Sequence, residues 1–405
     1  MSKPYAVFLT ALFCGFLAVF FAANLLTPDR EFSQDENRYL AQKPSLDAGD
    51  FTLELPIGKS GDFFTGRFMS DFETYLTDQF VGRDEWIAAK AMAERLAGKG
   101  ENNGVYLCAQ ETLIPRFDRP DQSKVTGNLD YVNKLVENVN IPVYFSLIPG
   151  KVSVWADRLP AGAPNASEGD ILAQAQADTR AHWVDIASVL EAHKGEEIYY
   201  RLDHHWTSLG AYYGYTALMG AMGLETIPLS DYEKTTVSTD FKGTTYSSSG
   251  VRWMTPDTID IYVPEEGVTV TAWSGTQPEA GVLYDWSKLE VKDKYSFFLG
   301  GNKPLAVVKT QRTDAPKLLV IRDSYSDSLA PFLTADFSEI HLFDPRYNKT
   351  PVSQYVVENG IDQVLVLYSV SNFVSDGNLF ILSRRAAGHQ KDLPGIGCPG
   401  GLLHE

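Results

Sequence analysis

"KLLVIRDSYSDSLAPFL", residues Lys317 to Leu333, changes character twice. The apolar run from Leu318 to Ile321 is short and bounded, as a strand buried on both faces would be. Arg322, Asp323, Ser324, Tyr325 and Ser326 then make a polar turn, and a helical segment follows. In an open α/β sheet, ligands gather where strand carboxyl ends meet helix N-termini. A serine on such a turn can be exposed, with helix-end amides at hand to stabilise an oxyanion. The competing use of Ser324 or Ser326 is to cap the helix.

The same alternation recurs on either side. "LDYVNKLVENVN" reads as helix, "IPVYFSLIPGK" as a buried strand ending in a Pro-Gly loop, "SEGDILAQAQADTRAH" as helix, and "WVDIASVLEAHKG" as a strand and helical turn. Downstream, "EIHLFDPRY" and "VENGIDQVLVLYSVSNF" continue the pattern. Strands alternating with helices imply parallel pairing and a sheet covered on both faces. The fold class is therefore α/β, with a parallel sheet flanked by helices over residues 101–405. Residues 226–290 are rich in Thr, Val, Tyr and turn formers and read as a β-rich insertion. Residues 28–100 read as a polar tether leading into helices, with Phe68, Phe72, Tyr75 and Leu76 at helical spacing.

The N-terminus has one lysine, Lys3, followed by an uncharged, mostly apolar run from Tyr5 to Leu26. That is about the ~20 residues a bilayer-spanning helix needs. It exceeds the roughly 7–15 residues of a signal-peptide core and lacks a clear small-x-small cleavage site, so residues 1–27 are expected to be an uncleaved signal anchor. Lys3 would stay inside, leaving a single-pass cell-membrane protein with its main domain extracytoplasmic. The net charge of -17 would repel phosphate backbones and anionic lipid, which excludes nucleic acid as a partner and favours a neutral or polyhydroxylated substrate. Cys108 and Cys398 could pair outside the cell or stay as free thiols. There is no cysteine–histidine ligand cluster, so neither a metal nor another cofactor is expected.

Upstream of the serine lies "RLDHHWTSLGAYYGY", Arg201 to Tyr215, with Thr207 or Ser208 placed to cap a helix. A serine hydroxyl is a poor nucleophile until an imidazole takes its proton, and the imidazole works best when a carboxylate fixes its tautomer. Asp203 and His205 are two residues apart and can serve that purpose in an irregular loop, leaving His204 and Trp206 to packing. The plainer reading is two satisfied histidines beside a tryptophan. For an oxyanion hole the candidates are the Ser324 amide and "GGN", with Gly301 and Asn302, taken to end an apolar strand. Tyr368 and Asn372 follow another strand, Tyr325 adjoins the serine, Arg322 could neutralise charge or pair with Asp323, and Lys151 could line the site or face water.

"ENRYLAQKP" (36–44), "DHHWT" (203–207), "DFKGTTYS" (240–247), "YSFFLGGNKPL" (295–305) and "IRDSYSDSLAPFL" (321–333) together resemble the DHHW family. That family is similar in turn to the SGNH-hydrolase-like domains of alginate O-acetyltransferases. The resemblance implies an SGNH-hydrolase-like fold and places the roles of orienting carboxylate, general base and nucleophile on Asp203, His205 and Ser324. It also implies a polysaccharide substrate and a multi-pass membrane O-acyltransferase as acyl donor. Two other functions compete. A catalytically silent polysaccharide-binding component could use Trp253, Trp273 or Trp286 to stack on sugars. A DHH-type metal-dependent phosphoesterase would need further aspartates at strand ends, and none is suitably placed upstream.

Overall fold

A computed structural model describes residues 3–46 and 65–385. The large sheet has eight strands: β1 (Val143–Ile148), β2 (His182–Trp183), β3 (Thr269–Trp273), β4 (Pro278–Ala280), β5 (Leu305–Lys309), β6 (Lys317–Arg322), β7 (Glu339–Phe343) and β8 (Gln363–Ser369). They lie side by side in the order β4-β3-β5-β7-β6-β8-β1-β2. The five from β7 to β2 are parallel. This is the α/β architecture, a large sheet flanked by helices, that the alternation of strands and helices predicts and that the DHHW resemblance implies.

The period of two along each strand sends alternate side chains to opposite faces. From β6, Leu318 and Val320 join one core, under helix Ser208–Met222 and helix Ser326–Leu333. Leu319 and Ile321 join the other, under helix Gln122–Asn138 and helix Glu168–Asp178. Both faces are covered, which is why these strands read as unbroken apolar runs.

The β-rich stretch at 226–290 divides in two. Thr235–Phe241 and Asp257–Ile261 pair with each other as a separate ribbon. β3 and β4 instead extend the main sheet, β3 pairing antiparallel with β5, and β5 antiparallel with β7. The sheet is thus mixed, with a parallel body and a three-stranded antiparallel edge. Thr207, not Ser208, caps helix Ser208–Met222, its hydroxyl accepting from the amide of Gly210 at 3.2 Å.

Helix Lys3–Leu26 is long and apolar enough to cross a membrane, and none of its residues is buried. Helices Arg67–Asp78 and Arg83–Leu96 follow, as the spacing of Phe68, Phe72, Tyr75 and Leu76 predicts. "ENRYLAQKP" lies against them. Arg38 donates to both carboxylate oxygens of buried Asp78, at 2.8 and 2.5 Å, while Arg83 forks onto Glu36 at 2.7 and 3.1 Å. Cys108 is a free, half-buried thiol, pushed up to about 11 by burial. Cys398 lies outside the described residues.

Candidate active site

Ser324 stands at the carboxyl end of β6, where the chain leaves for β7 on one side and returns to β8 on the other. Such a reversal opens a crevice above the strand ends. Asp323 fixes the turn. Fully buried, it accepts from the amide of Tyr325 at 3.0 Å and, at 2.8 Å each, from the Ser369 amide, the Ser369 hydroxyl and the Asn372 side-chain amide. The end of β6 is thereby pinned to the end of β8. Helix Ser326–Leu333 has no side-chain cap, so neither Ser324 nor Ser326 serves as one.

The "DHHW" loop arrives from the opposite side. Lys151 holds it from below: its buried ammonium donates to the carbonyls of Leu113, Tyr200 and Arg201 at 2.6, 3.0 and 3.1 Å. Burial pushes Lys151 down to about 8, against the pull of Asp257 and Asp203. From above, the Trp206 indole donates to the Tyr325 carbonyl at 2.9 Å, and the Tyr325 hydroxyl donates to the His204 carbonyl. These two bonds fasten the loop to the serine turn across 119 and 121 residues of sequence.

Three side chains meet at the junction. Ser324 Oγ lies 2.7 Å from His205 Nε2, and His205 Nδ1 lies 2.6 Å from Asp203 Oδ1. Asp203 also accepts from the His205 amide at 3.0 Å, and its other oxygen accepts from the Thr244 amide and hydroxyl at 2.7 and 2.9 Å. Burial works to raise the Asp203 carboxyl, but the two histidines and these hydrogen bonds hold it well below the usual carboxylate range. Asp203 and His205 are buried while Ser324 is half-exposed, so the hydroxyl can be reached and the groups behind it are dry. The Tyr295 ring stacks on His205 at 3.7 Å and 6°, and its hydroxyl donates to the Ser324 carbonyl at 3.1 Å. The imidazole is therefore held in plane as well as by its two nitrogens.

Several candidate residues have other partners. The Gly301 amide donates to the Phe298 carbonyl at 3.2 Å, and Asn302 Oδ1 accepts from Arg346 at 3.2 Å. The segment before them is a 3-10 turn, Lys294–Phe297, rather than a strand. Asn372 serves Asp323, Lys151 serves the loop backbone, and Tyr368 is buried with its hydroxyl unpartnered among the described residues. Arg322 does not pair with the Asp323 carboxylate. It is fully buried and donates to Asp327, with Nε and Nη2 unpartnered among the described residues. The backbone amide of Ser324, by contrast, donates to no group among the described residues. Thr244, Tyr295 and Asp323 were not singled out from sequence, although "DFKGTTYS", "YSFFLGGNKPL" and "IRDSYSDSLAPFL" contain them.

Ligand atoms of Asp203, His204 and His205 lie within 4.8 Å of one another, so spacing alone would admit a cation. Most of their lone pairs are engaged, however. Both His205 nitrogens and both Asp203 oxygens are hydrogen-bonded, and His204 Nδ1 faces the Thr244 hydroxyl at 2.6 Å. A cation here would have to break the contact with Ser324 or with Asp203, so the residues do not fit a resident metal.

The mixed sheet thus carries a hydrogen-bonded Asp203–His205–Ser324 chain at the carboxyl ends of its parallel strands. A family model described as DHHW protein matches residues 143–343. Among solved structures, a DHHW family protein from Eubacterium siraeum is 26% identical with a TM-score of 0.61, covering 71% of this chain and 97% of that one. Bacillus cereus PatB1, solved with a sulfonyl adduct, is 20% identical with a TM-score of 0.55, covering 67% and 96%. A fainter likeness, 15% identity and a TM-score of 0.42 over 67% and 93%, is to the O-acetyltransferase domain of Pseudomonas putida AlgJ. No curated protein matches the chain.

Proposed function

We propose that this chain is a membrane-anchored, extracytoplasmic serine acyltransferase or esterase that adds acetyl groups to, or removes them from, a cell-surface or secreted polysaccharide. The observation that carries the reading is the unbroken hydrogen-bond chain from Ser324 through His205 to Asp203. Ser324 is the nucleophile, His205 the general base, and Asp203 fixes the tautomer that leaves Nε2 free to accept the hydroxyl proton. Ser324 Oγ attacks the ester carbonyl as its proton passes to His205. The tetrahedral intermediate collapses, His205 returns the proton to the departing alcohol, and an acyl-serine remains. A sugar hydroxyl or water then attacks that ester by the same steps in reverse. The free amide of Ser324 supports the reading as one donor to the intermediate's oxyanion.

An apolar helix of spanning length supports anchoring, with Lys3 inside and the α/β body outside. A multi-pass membrane acyltransferase would then supply the acyl group at the outer surface. PatB1 has been solved with a sulfonyl adduct, AlgJ carries a domain named for O-acetyl transfer, and this chain shares the fold of the former.

The test is turnover of an activated acetyl ester by the full-length protein in detergent. Ser324→Ala and His205→Ala should each lower the rate by on the order of 10⁴-fold while leaving the melting temperature within a few degrees. Equal rates in wild type and both variants would sink the assignment and favour the silent polysaccharide-binding alternative, for which exposed Trp253 and Trp286 are available. Metal analysis of the same preparation should return no stoichiometric ion.

A further inference from the structure

The segment between the anchor and the α/β body carries a surface that the chemistry above does not use. Helices Arg67–Asp78 and Arg83–Leu96, with the turn between them, leave Met69, Leu76, Phe80, Trp86 and Met92 exposed by 39 to 58%. Leu76, Phe80 and Trp86 line one open groove, with Arg83 and Lys90 among its other walls. Soluble surfaces rarely gather large apolar groups in this way.

Position identifies what covers them. Phe20 of the apolar helix stacks on Phe80, centroids 6.0 Å apart and 4° from parallel, and meets Trp86 at 5.8 Å. Asn24, one turn further on, accepts from the Val81 amide at 2.9 Å. Phe20 is six residues short of the helix end at Leu26, about 9 Å along the axis. A residue at that depth in a spanning helix is within the bilayer, so the side chains stacked on it lie at the membrane boundary. Tryptophan and long cationic side chains favour that level, where ring and stem meet the acyl chains and the polar end stays wet.

We infer that these two helices form an interfacial platform whose Leu76, Phe80 and Trp86 insert into the outer boundary of the bilayer spanned by Lys3–Leu26. The platform is held rigidly to the anchor's exit by Arg38 on Asp78 and Arg83 on Glu36. It is also close to the chemistry. A Cβ at Gly250 would come within 3.0 Å of Ile87 on the second helix, and Gly250 ends helix Thr244–Ser249, whose Thr244 holds Asp203. The serine is thereby set at a fixed height above the lipid. Because the contact is aromatic and the chain is strongly acidic, it needs no anionic lipid and resists salt.

The inference rests on the anchored reading given under Proposed function, and the experiment separates the two. Full-length protein is reconstituted in phosphatidylcholine vesicles with ordinary or brominated acyl chains, as wild type and as Trp86→Phe. The Trp86-dependent emission, wild type minus variant, should fall by more than half in brominated lipid, unchanged by salt. A nitroxide on Leu76→Cys, with the native cysteines replaced by serine, should be shielded from a water-soluble relaxing agent, while one on Val357→Cys should not. Protein that stays in the membrane at alkaline pH with Trp86 emission unquenched and Leu76 open to the relaxing agent overturns the platform alone. Release of the protein at alkaline pH overturns the anchor and the platform together.

Discussion

Asp203 has almost no room to move, and the cause is a glycine. A Cβ added at Gly243 would lie 2.1 Å from Asp203 Oδ2, so only glycine lets the Thr244 amide close on that oxygen. Gly243→Ala should push the carboxylate aside and lower acetyl-ester turnover by on the order of 10²-fold, with the fold retained in circular dichroism. Gly214 has the same relation to Trp206, whose ring would meet a new Cβ at 2.7 Å. Deeper in, Asp327 is the carboxylate partner of fully buried Arg322, and burial lifts its pKa to about 6 against the pull of Arg322 and His205. Asp327→Ala strands a buried guanidinium and should cost about 3–5 kcal/mol in denaturant unfolding. Of this site, the histidine, its aspartate and the serine could be read in the sequence because each type has a chemical reason to stand near the others. Thr244 and Tyr295 could not, since a threonine amide or a tyrosine face becomes a partner only when distant loops meet.

At the scale of elements, the Pro149–Gly150 loop at the end of β1 is tied to helix Glu168–Asp178 by Glu168, whose carboxylate accepts from the Gly150 amide at 2.7 Å. Burial raises Glu168 to about 7, the Gly150 bond opposing. The folded chain therefore keeps a proton that the unfolded chain releases near 4.5. That stabilisation is complete below pH 4.5 and is lost as pH rises through 7, amounting to a few kcal/mol at most. Glu168→Gln keeps an acceptor for Gly150 and should flatten the fall in melting temperature between pH 5 and pH 8. The parallel strands and their helices were legible because length and apolar character change together at each boundary. The antiparallel edge was not. Thr269–Trp273 reads as a strand in isolation, but nothing local says that it pairs with Leu305–Lys309 rather than with Asp257–Ile261. The 3-10 turn at Lys294–Phe297 misled for a related reason: its aromatics are buried by tertiary packing, which an apolar run mimics.

For the whole molecule, the apolar helix Lys3–Leu26, the helix pair Arg67–Asp78 and Arg83–Leu96, and the α/β body succeed one another along the chain. Arg38→Ala should loosen the helix pair by leaving buried Asp78 with fewer partners, and limited proteolysis should then cut between the apolar helix and the body while the body's melting temperature holds. The sheet has a different order. β8 lies between β6 and β1 although it is the last strand made, and its Ser369 supplies two of the bonds that pin Asp323. A ribosome therefore delivers His205 first, Ser324 119 residues later, and the strand that pins the serine turn after both. Until Ser369 and Asn372 have emerged, β6 and β1 have no common neighbour and Asp323 lacks three of its four hydrogen-bond donors. A stop codon before Gln363, which removes the strand between β6 and β1, should yield a product that neither folds nor turns over an acetyl ester.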